Sequence, residues 1–190
     1  MVETLTPSPA FAGHLEAAHF GANAGAPGIV ASCVVYAGMA LVIARKGQSA
    51  ELALKWRLEP ELKRHIAGAR AFVGLGPGQW LVTGEAGLAS HLAGELADLA
   101  SVTDQTDSRA VLRLSGSKVR EVLAKGVPLD LHPASFSSGD AAATLVSLVS
   151  VWLWQLDDAP TYELAVPRSM AGSFAAWLVA SSGESGMVVQ

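Results

Sequence analysis

The stretch TLVSLVSVWLWQLDDAPTYELAV, residues 144–166, decides the fold class. It is rich in β-branched and aromatic residues, which suit pleated strands better than helices. We predict strands at 144–149, 151–156 and 161–166. The residues DDAP at 157–160 are typical of a turn, because aspartate bonds to nearby backbone groups and proline presets its own φ angle. Strands joined by so short a connection pair antiparallel, so the stretch predicts an antiparallel sheet.

Strand and helix patterns alternate through the rest of the chain. Further strands are predicted at 39–45, 70–75, 79–83, 101–106 and 109–114. Helices are predicted at 48–58, with an extension past Pro60 left open, at 86–99, at 115–123 behind a Ser115 cap, and at 168–180. The clearest of them is 86–99, where four leucines recur at helical spacing. The tail after residue 181 is predicted to be loose.

The order strand, helix, hairpin, helix occurs twice. The chain is therefore predicted to be an α+β protein of mostly antiparallel sheets with helices on one face, in two βαββα-like halves. We assign residues 1–37 to an irregular N-terminal segment and 38–182 to a single domain, with halves at about 38–106 and 107–182. The opposite, apolar face of the sheets would need a second sheet or a partner.

The composition points to a covered surface. Charged residues make up 16% of the 190 residues, against about 25% in an average soluble domain. Obligate interfaces resemble a domain core cut in half, so a partner protein is the favoured explanation. The net charge is −4 and the basic residues are scattered, which excludes the basic stripe that nucleic-acid binding requires.

One cysteine, Cys33, excludes an internal disulfide framework, and its apolar neighbourhood predicts a buried, inert thiol. The first residues, 1–11, lack the pattern of a signal peptide. The uncharged runs 29–44 and 141–156 are too short and too rich in β-branched residues for membrane helices. These features together predict a cytoplasmic protein.

Three stretches could carry chemistry, and each has a structural alternative. GLGPG at 74–78 resembles a phosphate-binding loop, but a strand follows it, which favours a hairpin turn. Ser115 and Lys118 have the Ser-x-x-Lys spacing of a serine nucleophile and its lysine base. Asp130 and His132 share one face of an extended segment, as an acid/base pair or half a metal site would, although a pair that satisfies local backbone groups is favoured.

Trp152 and Trp154 would project from one face of a strand. Paired aromatic residues of this kind are usually core, and they also suit the anchors of a protein interface.

Several short runs, mostly in the second half, carry a resemblance to a known family. They are LGPGQWL at 75–81, DSR at 107–109, VLRLSG at 111–116, VLAKG at 122–126, LDLHP at 129–133 with Phe136, LW at 153–154, APTYEL at 159–164, VPRS at 166–169, Phe174, and WL at 177–178. On these runs the chain resembles the gamma subunit of heterotetrameric sarcosine oxidase. The chain departs from the family pattern at residues 117–119, where we would expect proline and alanine.

The resemblance implies a fold like the folate-binding part of the glycine-cleavage T-protein family. It implies partners, the alpha, beta and delta subunits, in an enzyme that demethylates sarcosine to glycine with formation of hydrogen peroxide and 5,10-methylenetetrahydrofolate. It also implies that FAD, FMN, NAD, tetrahydrofolate and zinc are held by those other subunits. The gamma chain would then be a non-catalytic assembly subunit, and Trp152, Trp154, Asp130 and His132 are its candidate interface residues.

Two alternatives remain beside this interpretation. One is a free-standing folate-binding protein of the T-protein-like class, some of which carry a Lys-Gly-Cys-Tyr signature. Here Lys125 and Gly126 are followed by Val127 and Pro128 instead. The other is a hydrolase that uses Ser115 with a lysine base, and an unrelated small scaffold is the residual class.

Overall fold

The computed structural model of the chain describes residues 9–22, 26–58 and 65–190. Within this part of the chain, the strands are β1 (His19–Phe20), β2 (Ile29–Val34), β3 (Gly38–Ala44), β4 (His65–Ile66), β5 (Ala71–Gly76), β6 (Gln79–Gly84), β7 (Ala100–Asp104), β8 (Arg109–Ser115), β9 (Ala141–Val146), β10 (Val149–Asp157), β11 (Thr161–Pro167) and β12 (Met187–Val189). The helices are α1 (Ser49–Trp56), α2 (Leu88–Glu95), α3 (Val119–Ala124) and α4 (Ala171–Ser182), and a short 3-10 turn, Arg168–Met170, precedes α4.

The described strands form two sheets. One has seven strands in the order β1-β12-β2-β8-β11-β10-β9, and the other has five in the order β4-β5-β6-β3-β7. Every pairing is antiparallel except β12 with β2. The mostly antiparallel α+β architecture predicted from the sequence is therefore confirmed.

Each sheet carries its helices on one face. Leu52 of α1 and Leu92 of α2 pack with Val42 and Trp80 of the five-stranded sheet. On the seven-stranded sheet, α3 and α4 contribute residues such as Leu123 and Phe174 to another apolar cluster. Helices thus cover one face of each sheet and leave the other apolar face to be buried.

Those remaining faces pack against each other. The inter-sheet layer consists of Met39, Val73, Leu75 and Leu81 from the five-stranded sheet and Val111, Ala141, Trp152, Trp154 and Ala165 from the seven-stranded sheet. The apolar face that needed a second sheet or a partner therefore finds a second sheet in the same chain.

The ends of the chain differ from the prediction. Residues 1–37 were assigned to an irregular segment, but Ile29–Val34 forms β2 and pairs with β8. The tail after residue 181 was predicted to be loose, but Met187–Val189 pairs parallel with β2. Both strands are stabilised by partners far away along the chain, which local sequence patterns do not reveal. The division into halves at 106/107 falls between β7 and β8 and stays a prediction.

Several predicted boundaries move by a few residues. The turn between β9 and β10 lies at Ser147, whose φ is 54°, and not at residue 150. Helix α1 ends at Trp56 because Arg57 is left-handed, and Pro60 lies outside the described residues. The predicted Ser115 cap is wrong, since α3 follows Lys118 and has no side-chain cap.

A buried carboxylate fixes the connection between β2 and β3. Glu163 on β11 is fully buried. Its Oε2 accepts a hydrogen bond from the Tyr36 hydroxyl at 2.6 Å. Its Oε1 accepts bonds from Arg113 Nη2 at 2.6 Å and Nε at 3.0 Å. Burial and the Glu163 hydrogen bond raise the pKa of Tyr36 above its usual value.

We predict that Leu81→Ala in the inter-sheet layer destabilises the chain by about 2–5 kcal/mol, because it leaves a cavity between two packed sheets. Leu54→Ala is the matched control, since Leu54 is 77% exposed on α1, and its effect should stay within about 0.5 kcal/mol. Urea unfolding of the three proteins measures both changes. Equal losses in the two variants would contradict the packing described above.

We also predict that Tyr36 makes stability depend on alkaline pH. Its pKa is raised in the folded state, so its contribution is present below the unfolded pKa of about 10 and is lost as the pH rises beyond it. The free energy of unfolding of the unaltered chain should therefore fall more steeply above pH 10 than that of Tyr36→Phe. Urea titrations between about pH 8 and 11 measure the two slopes. A constant difference across that range would argue against the raised pKa of Tyr36, and so against the burial and hydrogen bonding of its hydroxyl.

Candidate functional site

The glycine-rich segment is a hairpin turn. It joins β5 to β6, and Gly78 has a φ of 66°, in the left-handed region that favours glycine. A side chain at Gly78 would also come within 2.5 Å of Ser49 Oγ. A strand and not a helix follows the turn, so the helix N-terminus that binds phosphate in such loops is missing here. The hairpin interpretation is confirmed.

Ser115 and Lys118 are occupied by local structure. Ser115 ends β8, where it pairs with Thr161 of β11 and Val30 of β2. Lys118 Nζ forms an ion pair with Glu121 Oε1 at 2.7 Å. An amine that serves as a base must be neutral and directed at the serine, and an exposed ion pair provides neither condition. The arrangement gives the hydrolase alternative no support.

Asp130 and His132 form a local turn. Asp130 Oδ1 accepts the backbone N–H of His132 at 2.9 Å, and Oδ2 accepts the Ser135 hydroxyl at 2.6 Å. The Ser135 bond, followed by the backbone bond, lowers the pKa of Asp130. His132 Nδ1 accepts the backbone N–H of Ala134 at 3.2 Å. The pair therefore satisfies nearby backbone groups, as the structural alternative predicted, and both side chains are exposed. Their role at an interface stays a prediction.

No group of three or more potential metal ligands occurs among the residues that the structure describes. No helix in the same ranges is long and apolar enough to cross a membrane.

Trp152 and Trp154 lie between the two sheets. They project from the same face of β10, as predicted, and are 8% and 0% exposed. The chain itself covers nearly all of both rings, so neither offers much surface to a partner. Their proposed role as interface anchors stays a prediction.

The prediction that Cys33 is buried is wrong, since the residue is exposed. Ile29 and Ala31 at the start of β2 are fully buried, but exposure rises towards the end of the strand, and Val35 just beyond it is 90% exposed. Partial burial still raises the pKa of the Cys33 thiol, which keeps it protonated at neutral pH.

A groove of about 520 Å³ opens beside Cys33, at the end of the sandwich where β2 leads into β3. We call it the Arg109 groove. The turn at residues 9–11, the β2–β3 connection and the β7–β8 connection surround it. Its apolar wall includes Phe11, Val34, Met39 and Val111, and its polar side chains include Tyr36, Asp107, Arg109 and Arg168.

Arg109 is the residue that sequence reasoning missed. It belongs to the DSR run at 107–109, which was used only as part of the family resemblance. In the structure its guanidinium lies 3.7 Å from the centroid of the Trp152 ring, a cation–π contact. The two residues are far apart in the sequence, so only the pairing of β8, β11 and β10 reveals the contact.

The chain is similar to known proteins over most of its length. A family model described as "Sarcosine oxidase, gamma subunit family" matches residues 23–184. A sarcosine oxidase subunit gamma from Arthrobacter sp is 34% identical over 176 residues, which cover 86% of this chain and 85% of that protein. Another, from Corynebacterium sp. (strain P-1), is 35% identical over 118 residues, or 60% of this chain and 57% of that protein.

Two solved structures are similar in fold. A chain of the heterotetrameric sarcosine oxidase from Corynebacterium sp. U-96, solved in complex with pyrrole 2-carboxylate, has a TM-score of 0.73 at 25% identity and covers 84% of this chain and 86% of its own length. The glycine cleavage system aminomethyltransferase T from Bartonella henselae has a TM-score of 0.56 at 15% identity over 86% of this chain and 48% of that protein. The second likeness concerns the fold alone, as the sequence resemblance implied. The match to the family model and the 34% identity to a gamma subunit show that the chain belongs to the sarcosine oxidase gamma subunit family.

Proposed function

We propose that the chain is the non-catalytic gamma subunit of a heterotetrameric sarcosine oxidase. The observation that carries the proposal is the 34% identity to a gamma subunit over 86% of the chain. The TM-score of 0.73 to a chain of a heterotetrameric enzyme supports it. The side chains that could have served as catalytic groups make local structural contacts. Lys118 pairs with Glu121, and Asp130 accepts hydrogen bonds from two nearby donors.

In this proposal the alpha, beta and delta subunits are the partners, and they hold FAD, FMN, NAD, tetrahydrofolate and zinc. The complex oxidises sarcosine to glycine, reduces oxygen to hydrogen peroxide and transfers the one-carbon unit to tetrahydrofolate. The gamma chain contributes surface and shape to the assembly. A cytoplasmic location, expected from the sequence, stays a prediction.

The free-standing folate-binding alternative has weaker support. The aminomethyltransferase T shares the fold, but this chain spans only 48% of that protein. At 15% identity this likeness concerns the fold alone and gives no support to a folate site.

Co-expression with the other three subunits tests the proposal. We expect the chain to copurify in a complex with one copy of each subunit that oxidises sarcosine, because the gamma fold supplies a partner surface and not a reaction centre. Purified alone, the chain should contain no stoichiometric flavin and should not oxidise sarcosine. Gel filtration, flavin absorbance and a peroxide assay provide the measurements.

Expression of the other three subunits without the chain is the control, and the assembly they form should be incomplete. A chain that runs as a monomer and never joins them would contradict the proposal. Stoichiometric flavin on the isolated chain would contradict the non-catalytic role.

A further inference from the structure

Arg109 has no acidic partner among the residues that the structure describes. Its Nη1 atom is buried and has no hydrogen-bond partner in the described part of the chain. Desolvation by burial lowers the pKa of Arg109. Two other arginines of the chain do form ion pairs. Arg70 pairs with the exposed carboxylate of Glu85, and Arg113 pairs with the buried carboxylate of Glu163. A partly buried arginine without a counter-charge is costly, because burial disfavours the charged form.

The guanidinium is held in place. It lies over the Trp152 ring at 3.7 Å from the centroid, and Trp152 is 8% exposed within the inter-sheet layer. The attraction between the cation and the buried ring favours this position of the guanidinium over more exposed ones. The stacked cation therefore lies at the wall of the Arg109 groove, in the manner of a preorganised binding group.

The surroundings of Arg109 are largely apolar. Asp107 is the one carboxylate among the described residues that line the groove. The Tyr36 hydroxyl is already committed to Glu163. Beside the lining residue Cys33, Val35 is 90% exposed. Exposed apolar side chains beside a desolvated arginine are typical of the core of a protein interface.

We propose that the Arg109 groove docks an apolar segment of a partner subunit that carries an aspartate or glutamate, whose carboxylate pairs with the Arg109 guanidinium. The proposal rests on the assembly role argued above and adds the surface through which it operates. The charge of the occupant follows from the charge of Arg109, since an arginine fork matches the geometry of a carboxylate. The apolar character of the segment follows from the wall formed by Phe11, Val34, Met39 and Val111.

Charge reversal at position 109 tests this pairing. The affinity of the chain for a preformed assembly of the other three subunits should fall about 100-fold in Arg109→Glu and about 10-fold in Arg109→Met, because the first adds repulsion to the loss of the pair. Lys46→Glu is the matched control. It makes the same charge change at an exposed position beyond the opposite end of β3, and its affinity should stay within about 2-fold of the unaltered chain.

The stability of the isolated chain separates docking from folding. Removal of an uncompensated cation relieves a desolvation cost, so Arg109→Met should unfold at the same temperature as the unaltered chain or at a higher one. A variant that binds weakly and is also clearly less stable would contradict the proposal, because Arg109 would then act through folding. Affinities of the Arg109 variants equal to that of the unaltered chain would overturn it as well.

A zero-length cross-link identifies the occupant. Arg109→Lys places a primary amine in the groove, and a carbodiimide joins an amine only to a carboxylate in direct contact. In the assembled complex we expect a new cross-linked peptide between position 109 and an aspartate or glutamate of a partner subunit. A cross-link to Glu3 of the same chain would overturn the proposal in favour of an internal occupant. The absence of any cross-link from position 109 would also overturn it, because a groove that binds a small free carboxylate would give that result.

The failure of this inference is distinguishable from the failure of the proposed function. If the unaltered chain does not join the other subunits, the proposed function is wrong. If the unaltered chain joins them and Arg109→Glu joins them equally well, the function stands and the Arg109 groove is not the docking surface.

Discussion

The inter-sheet layer is the contact on which the rest of the structure depends. Each sheet has helices on one face, so its other face would be an exposed apolar plane without the second sheet. Two sheets that pack face to face remove both planes from water at once, and the gain from apolar burial scales with the area covered. The packing also places Trp152 beside Arg109, which lines the Arg109 groove.

The same layer changes the interpretation of the low charge content. Much of the apolar surface that suggested a partner is buried within the chain, Trp152 and Trp154 included. What remains exposed is local, at residues such as Val35, Leu54 and Leu148. An assembly role therefore has to use limited patches and specific charges instead of one broad apolar face. A groove with a partly buried arginine that has no acidic partner among the described residues is a surface of that kind.

The elements that depend on short-range patterns could be predicted from the sequence. The β10–β11 hairpin, the β5–β6 turn and the core of α2 follow from period, β-branching and turn residues. The strands β2 and β12 could not, because their stability comes from pairing with each other and with β8 across the whole chain. The face of β10 that points inward was equally undetermined, since both faces of that strand are apolar. Arg109 had no local signal at all, because its partner ring, Trp152, lies far along the chain on another strand.

Hydrogen–deuterium exchange of the chain, free and in complex with the other three subunits, tests the central claim most directly. A chain that serves as a docked subunit must bury part of its surface on assembly, and backbone amides there exchange more slowly. The account predicts slower exchange in the β2–β3 connection at 35–37 and the β7–β8 connection at 105–108, with no change in the turn after β3 at 46–47. Exchange that is the same along the whole chain with and without the other subunits would contradict it.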